Sequence, residues 1–138
     1  MSLDAVHHIA LTVSDLAKST EWYQQVLGFS VIADFEEDSG RRRKVVMTSD
    51  RLATRIGLVE HRGTSPGSFD ERVTGLDHLS FSVDLGDLGQ LVASLGQHNV
   101  PYSPPRPARL NPAARVVVFR DPDNIQLEFY AQRAQPEP

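Results

Sequence analysis

Two stretches of strict alternation, HHIALTV at residues 7–13 and DHLSFSV at residues 77–83, recur at a spacing of 70 residues in a chain of 138. This repetition restricts the fold more than any other feature. His8, Ala10 and Thr12 fall on one face of the first strand and Ile9, Leu11 and Val13 on the other; His78, Ser80 and Ser82 oppose Leu79, Phe81 and Val83 in the second. A strand with one apolar face must bury it under another layer, and a helical pattern follows each copy. Ser14 is placed to cap a helix running through Leu16, Trp22, Tyr23 and Val26 to a stop at Gly28. In DLGDLGQLVASLG, Leu88, Leu91, Val92 and Leu95 keep helical spacing, with Gly96 as the stop.

Strand signals come after each helix: FSVIADFEE, RRKVVMTS and TRIGLVEH in the first half, and a proline-rich, weakly specified PYSPPRPARL, then ARVVVFRD and NIQLEFYA in the second. Both halves read as βαβββ, giving an α+β fold. Glu128 lies 71 residues after Gly57, against 70 from His8 to His78, so the halves superpose with almost no slippage. Two copies at so long a period describe a duplicated module and not a solenoid. The predicted organisation is a single domain over 1–138, with module one at about 4–62, a Gly/Ser/Thr/Pro-rich linker at about 63–74 and module two at about 75–131. A disordered tail is predicted at 132–138.

Composition removes several function classes. Fourteen Lys+Arg against eighteen Asp+Glu, with no sustained basic stripe, provide no footprint for nucleic acid or an anionic membrane. The run Arg41, Arg42, Arg43, Lys44 reads as the solvated start of a strand. Without cysteine there is no disulfide and no thiolate, so any metal must be held by histidine and carboxylate. No basic leader or apolar span of membrane length is present, which makes the cytoplasm the expected location. Small modules with open sheet edges favour a homodimer.

The third element of interest is DPDNIQLEF, a turn feeding a strand in which Ile125, Leu127 and Phe129 alternate with Gln126, Glu128 and Tyr130. Glu128 therefore falls on the polar face, as His8 and His78 do. If each module is a curved sheet with its helix on the convex side, the polar set lines a concave cup. Two imidazoles and one carboxylate form a 2-His-1-carboxylate set that binds a divalent metal and leaves coordination positions open; Fe(II), Mn(II), Zn(II), Ni(II) and Co(II) all accept it.

The pieces HHIALTVSDLAKSTEWYQQVLGF, GLDHLSFSV and FRDPDNIQLEF together resemble the vicinal oxygen chelate superfamily, which includes glyoxalase I, bleomycin-resistance proteins and extradiol dioxygenases. The resemblance implies paired βαβββ modules forming a curved sheet cup around a metal, often across a dimer, with His8, His78 and Glu128 as ligands. His7, of opposite parity, is expected to face the helices. In glyoxalase I and methylmalonyl-CoA epimerase a further Glu or Gln ligand comes from the strand that here carries Gly57, which has no side chain to offer; Glu60 has the wrong parity to replace it. The three-ligand set resembles instead the extradiol dioxygenases, which favours Fe(II) and a small oxygen-bearing substrate. Such chemistry wants a proton acceptor and a hydrogen-bond donor, and by parity His61 and Tyr130 are the catalytic candidates. Alternatives are a glyoxalase- or epimerase-type reaction, a metal-dependent fosfomycin-type transferase that opens an epoxide with a thiol, and a bleomycin-resistance-like binding protein without catalysis. For a phosphonate substrate, Arg55, Arg106, Arg109 and Arg115 are the candidate cations.

Overall fold

A computed structural model describes residues 1–63 and 67–134; residues 64–66 of the expected linker and 135–138 of the expected tail lie outside the described residues. The chain divides into two compact units, 1–67 and 68–138. The fold is α+β, as the alternation and helical periods require. Among the described residues no helix is long and apolar enough to cross a membrane.

In the first unit β1 (His8–Thr12) leads into α1 (Leu16–Leu27), followed by β2 (Ser30–Glu37), β3 (Arg42–Ser49) and β4 (Leu52–His61). The sheet order is β1-β4-β3-β2, with β1 parallel to β4 and the remaining pairs antiparallel. Leu16, Ser19, Tyr23 and Val26 recur every three or four residues and form the buried stripe of α1. Leu11, Val45, Met47, Ile56 and Leu58 supply the buried strand residues of that layer. The cap of α1 is Asp15 and not Ser14: the Asp15 carboxylate accepts the Lys18 backbone N–H at 3.0 Å. A carboxylate also complements the positive end of the helix, which a hydroxyl does not. Gly28 closes the helix at φ 73°, as its position predicts.

The second unit repeats this plan with β5 (Leu79–Asp84), α2 (Leu88–Gln97), β6 (Arg106–Pro107), β7 (Arg115–Arg120) and β8 (Gln126–Gln132), in the order β5-β8-β7-β6. Leu95, Val117, Phe119, Leu127 and Phe129 are buried, and the Phe119 and Phe129 rings lie 4.6 Å apart. Gly96 does not end α2. The helix runs through it to Gln97, and the left-handed residue is Asn99 (φ 56°), where Asn99 N–H donates to Gly96 O and Val100 N–H to Leu95 O. Asparagine tolerates this conformation, and the pair of bonds closes the helix end in the way a left-handed glycine usually does. Strand β6 shrinks to two residues because Pro101, Pro104, Pro105 and Pro107 remove ladder donors from PYSPPRPARL.

The residues from Ser68 onward are tied to the β7–β8 turn of the second unit. Phe69 N–H donates to Asp123 O (2.9 Å), Asn124 Nδ2 donates to Phe69 O (3.0 Å), and Arg120 grips Glu71 through both terminal nitrogens at 3.0 and 2.8 Å. The turn itself is held by Asp121, a buried carboxylate that accepts the N–H groups of Asp123 and Ile125, both at 2.9 Å.

Candidate functional site

The alternation places the candidates on the strand face opposite the helix in each unit. In β1, His8, Ala10 and Thr12 are exposed while Leu11 is buried; in β8, Leu127 and Phe129 are buried while Glu128 and Tyr130 are half-buried. His78 immediately precedes β5 and is exposed. Cross-strand register then fixes neighbours. Ser80 of β5 stands beside Glu128 of β8, which is flanked on its other side by Val118 of β7. In the first unit the matching positions are Ala10, Gly57 and Val46. Gly57 thus occupies in one sheet the place that Glu128 occupies in the other.

Glu60 does not compensate. The β3–β4 register runs without a break from Arg42↔His61 to Met47↔Ile56. The Glu60 carboxylate lies on the helix side, where it accepts the Leu16 backbone N–H at 3.3 Å, at the first residue of α1. It serves an orphan helix donor and is spent as a ligand.

Each of the three candidate ligands has one atom engaged by a near neighbour. The Nδ1 of His78 lies 2.6 Å from Asp77 Oδ1. Ser80 Oγ donates to Glu128 Oε1 at 2.8 Å. The Nδ1 atoms of His7 and His8 lie 2.8 Å apart, one ring donating and the other accepting. This last contact corrects the expectation for His7: it precedes the first residue of β1, so strand parity does not govern it, and its exposed ring turns to His8 instead of towards the helix. Asp77, Ser80 and His7 are residues that sequence reasoning passed over as partners. Immediate adjacency signals Asp77 and His7, whereas Ser80 is recognisable only from the register.

The two catalytic candidates belong to different units. Arg55 is the register partner of His8, and His61 stands six residues further along β4, roughly 20 Å away at the rise of a strand. His61 is exposed at the strand end beside Arg42. Tyr130 is two residues past Glu128 on the same face and packs on a small cluster of Ala108, Ala114 and Val116. Of the arginines, Arg115 donates to the carbonyls of Pro112 and Ala114 at 2.9 and 3.0 Å. Arg55 stands beside His8, and Arg106 lies opposite Val116 on the edge strand. Among the described residues of either unit, no three His, Asp or Glu side chains are gathered into a metal-holding group.

A bidentate ion pair joins Arg120 and Glu71 beside the start of β8. The two hydrogen bonds from the guanidinium hold the Glu71 carboxyl well below its usual range, at about 2. Arg120 also donates to Gln126 Oε1 at 2.9 Å, and so links the segment before β5 to the start of β8, two residues from Glu128.

The arrangement has clear relatives. The uncharacterised protein YwkD of Bacillus subtilis (strain 168) is 32% identical over 133 residues, covering 96% of this chain and all of that protein. The metallothiol transferase FosB of Staphylococcus epidermidis is 25% identical over 130 residues, covering 94% of this chain and 83% of the transferase. Among solved structures, a glyoxylase/bleomycin resistance protein/dioxygenase domain from Frankia sp. EAN1pec superposes with a TM-score of 0.86 at 34% identity, covering 96% of this chain and 100% of that one. With residues 5–129 matching the family as a whole, the chain belongs to the Glyoxalase/Bleomycin resistance protein/Dioxygenase superfamily.

Proposed function

We propose that the chain is a divalent-metal-dependent enzyme acting on a small oxygen-bearing organic substrate, with His8, His78 and Glu128 as the metal ligands. The observation that carries this reading is the set of supporting contacts. With the Nδ1 protons of His78 and His8 donated to Asp77 and to His7, each Nε2 is left to coordinate, and Ser80 takes one oxygen of Glu128 and leaves the other. Such partners orient ligating side chains and select the imidazole tautomer. Two neutral imidazoles and one carboxylate suit a borderline divalent ion. When bound, that ion supplies Lewis-acid polarisation of a substrate oxygen.

Within the second unit, Tyr130 shares the face of Glu128 at a separation of roughly 7 Å along the strand, and its phenol is the nearby donor for a developing negative charge on substrate. The extradiol reading favoured by the three-ligand pattern needs a proton acceptor as well. His61, about 20 Å along β4 from the register of His8, does not supply one there. The similarity to FosB supports a transferase-type reaction instead. In a thiol–epoxide reaction the sulfur forms a bond to carbon, the C–O bond breaks, and the thiol proton ends on the released alkoxide.

The test is metal content per chain after anaerobic purification, for the native protein beside His78→Ala and Glu128→Ala. Near-stoichiometric metal in the native protein and little in either variant is the expected result. A native chain that stays metal-free after reconstitution with Fe(II), Mn(II), Zn(II), Ni(II) and Co(II) in turn overturns the proposal. Thiol consumption with an epoxide, set beside O2 consumption with a catechol, then separates the transferase from the dioxygenase.

A further inference from the structure

We infer that the sheet face of the first unit carries an oxyanion-binding site built from Lys44 and Arg55, and that Gly57 is glycine in order to admit the lysine. A Cβ placed on Gly57 would lie 2.8 Å from Lys44 Cε and 3.6 Å from Ala10 Cβ. The lysine stem therefore crosses from β3 and lies over Gly57, which is buried although it has no side chain of its own. Gly57 is not among the residues with positive φ, so the backbone itself does not require glycine here. Space for Lys44 does.

This position matters because of what surrounds it. Lys44 begins opposite Val59 and reaches the Gly57 register, one same-face step from Arg55; Arg55 in turn flanks His8 on β1. Two other members of the basic run are already matched across the β2–β3 hairpin: Arg42 with Glu37, and Arg43 with Asp34 at 2.9 and 3.2 Å; Arg41 is exposed and precedes β3. Among the described residues the Lys44 ammonium and the Arg55 guanidinium have no ion pair or hydrogen bond. Two unneutralised cations on one face repel, and Ala10, Val46 and Ala33 around them offer no countercharge. An oxyanion carrying one or two negative charges, a carboxylate, phosphonate or phosphate group, satisfies both at once: the planar guanidinium pairs with two oxygens and the ammonium acts as a point charge.

As a statement about anion binding by the first unit, this stands apart from the metal. As a statement about the substrate, it rests on the reading of the site as a metal enzyme, and it makes the preferred substrate an anion. The test titrates metal-free, 15N-labelled protein with inorganic phosphate at constant ionic strength and follows the amides of Gly57 and Ala10 by NMR. Saturable shifts with a Kd in the millimolar range are expected for the native chain. Lys44→Met should weaken binding by about 10-fold, a loss of about 1.4 kcal/mol, whereas Lys44→Arg should keep it within about 3-fold. Gly57→Ala should weaken it by about 3- to 10-fold, because the lysine tip is pushed aside while the extended backbone accepts alanine. No saturable shift in the native chain up to about 50 mM phosphate, or undiminished binding by Lys44→Met or Gly57→Ala, overturns the inference. Metal uptake on reconstitution, measured on separate portions of the same variants, keeps the two proposals apart: phosphate binding by a chain that takes up no metal refutes only the metal reading, and metal uptake without phosphate binding refutes only this one.

Discussion

Asp77 is the residue whose removal most directly tests how the candidate ligands are supported. Its carboxylate stands 2.6 Å from His78 Nδ1, and the side chains of His78 and Asp77 are 39% and 68% exposed. Loss of the partner behind a ligating histidine typically reduces metal affinity by about 10- to 100-fold. Solvent screening of so exposed a pair places Asp77→Ala at the lower end, about 10-fold or 1.4 kcal/mol. Asp77→Asn retains an acceptor for the Nδ1 proton and removes only the charge, so its loss should be about 3-fold, between native and Ala. The assay is competition for Zn(II) and Mn(II) against a chromogenic chelator, with thermal unfolding of the metal-free variants as a control. Both variants should unfold within about 3 °C of the native chain, since the site is on the surface. Equal metal affinity in native, Asn and Ala forms, with affinity abolished in His78→Ala, would show that Asp77 does not position the ligand and would refute the reasoning.

Two further outcomes follow from contacts away from the ligands. The Glu71 carboxyl, held at about 2 against an ordinary 4.5 by the hydrogen bonds from Arg120, stabilises the folded state above pH 4.5. That contribution is lost progressively as pH falls from 4.5 through about 2, the window set by the unfolded and folded values. Carboxyl 13C titration should place Glu71 near the lower value in the native chain and back towards 4.5 in Arg120→Met. Gly28→Ala, at φ 73° with nothing within 4 Å of the added Cβ, should destabilise purely through backbone conformation, by about 1–2 kcal/mol. Thermal unfolding of Gly28→Ala beside Gly57→Ala checks this, the second glycine being needed for room and not for φ.

Most of the elements were legible in the sequence, and so was the side of the sheet on which the candidates stand. Alternation in HIALT and QLEFY is a local property, since a strand turns successive residues to opposite faces whatever it pairs with. Gly57 and Glu128 could be matched for the same reason: duplication preserved the spacing, and the Ala10↔Gly57 and Ser80↔Glu128 registers agree with it. Helix ends were less legible. Ser14 and Asp15 are both capping residues one position apart, and Gly96 is a plausible stop that a left-handed Asn99 overrides. These choices turn on which carbonyl or N–H is left without a partner, which composition does not reveal.

By itself, then, the sequence determined the duplicated α+β plan, the sheet face in each unit on which His8 or Glu128 stands, and the gap at Gly57. Only the tertiary structure decided what those residues meet. Ser80 reaches Glu128 across 48 positions of chain, and Glu60 turns to a helix N-terminus 44 positions away. Lys44 drops over Gly57, and His61 ends up far along β4 from His8. The physical reason is that alternation assigns a side chain to a face, whereas its neighbours on that face come from strand pairing and side-chain reach, which join segments the chain keeps apart.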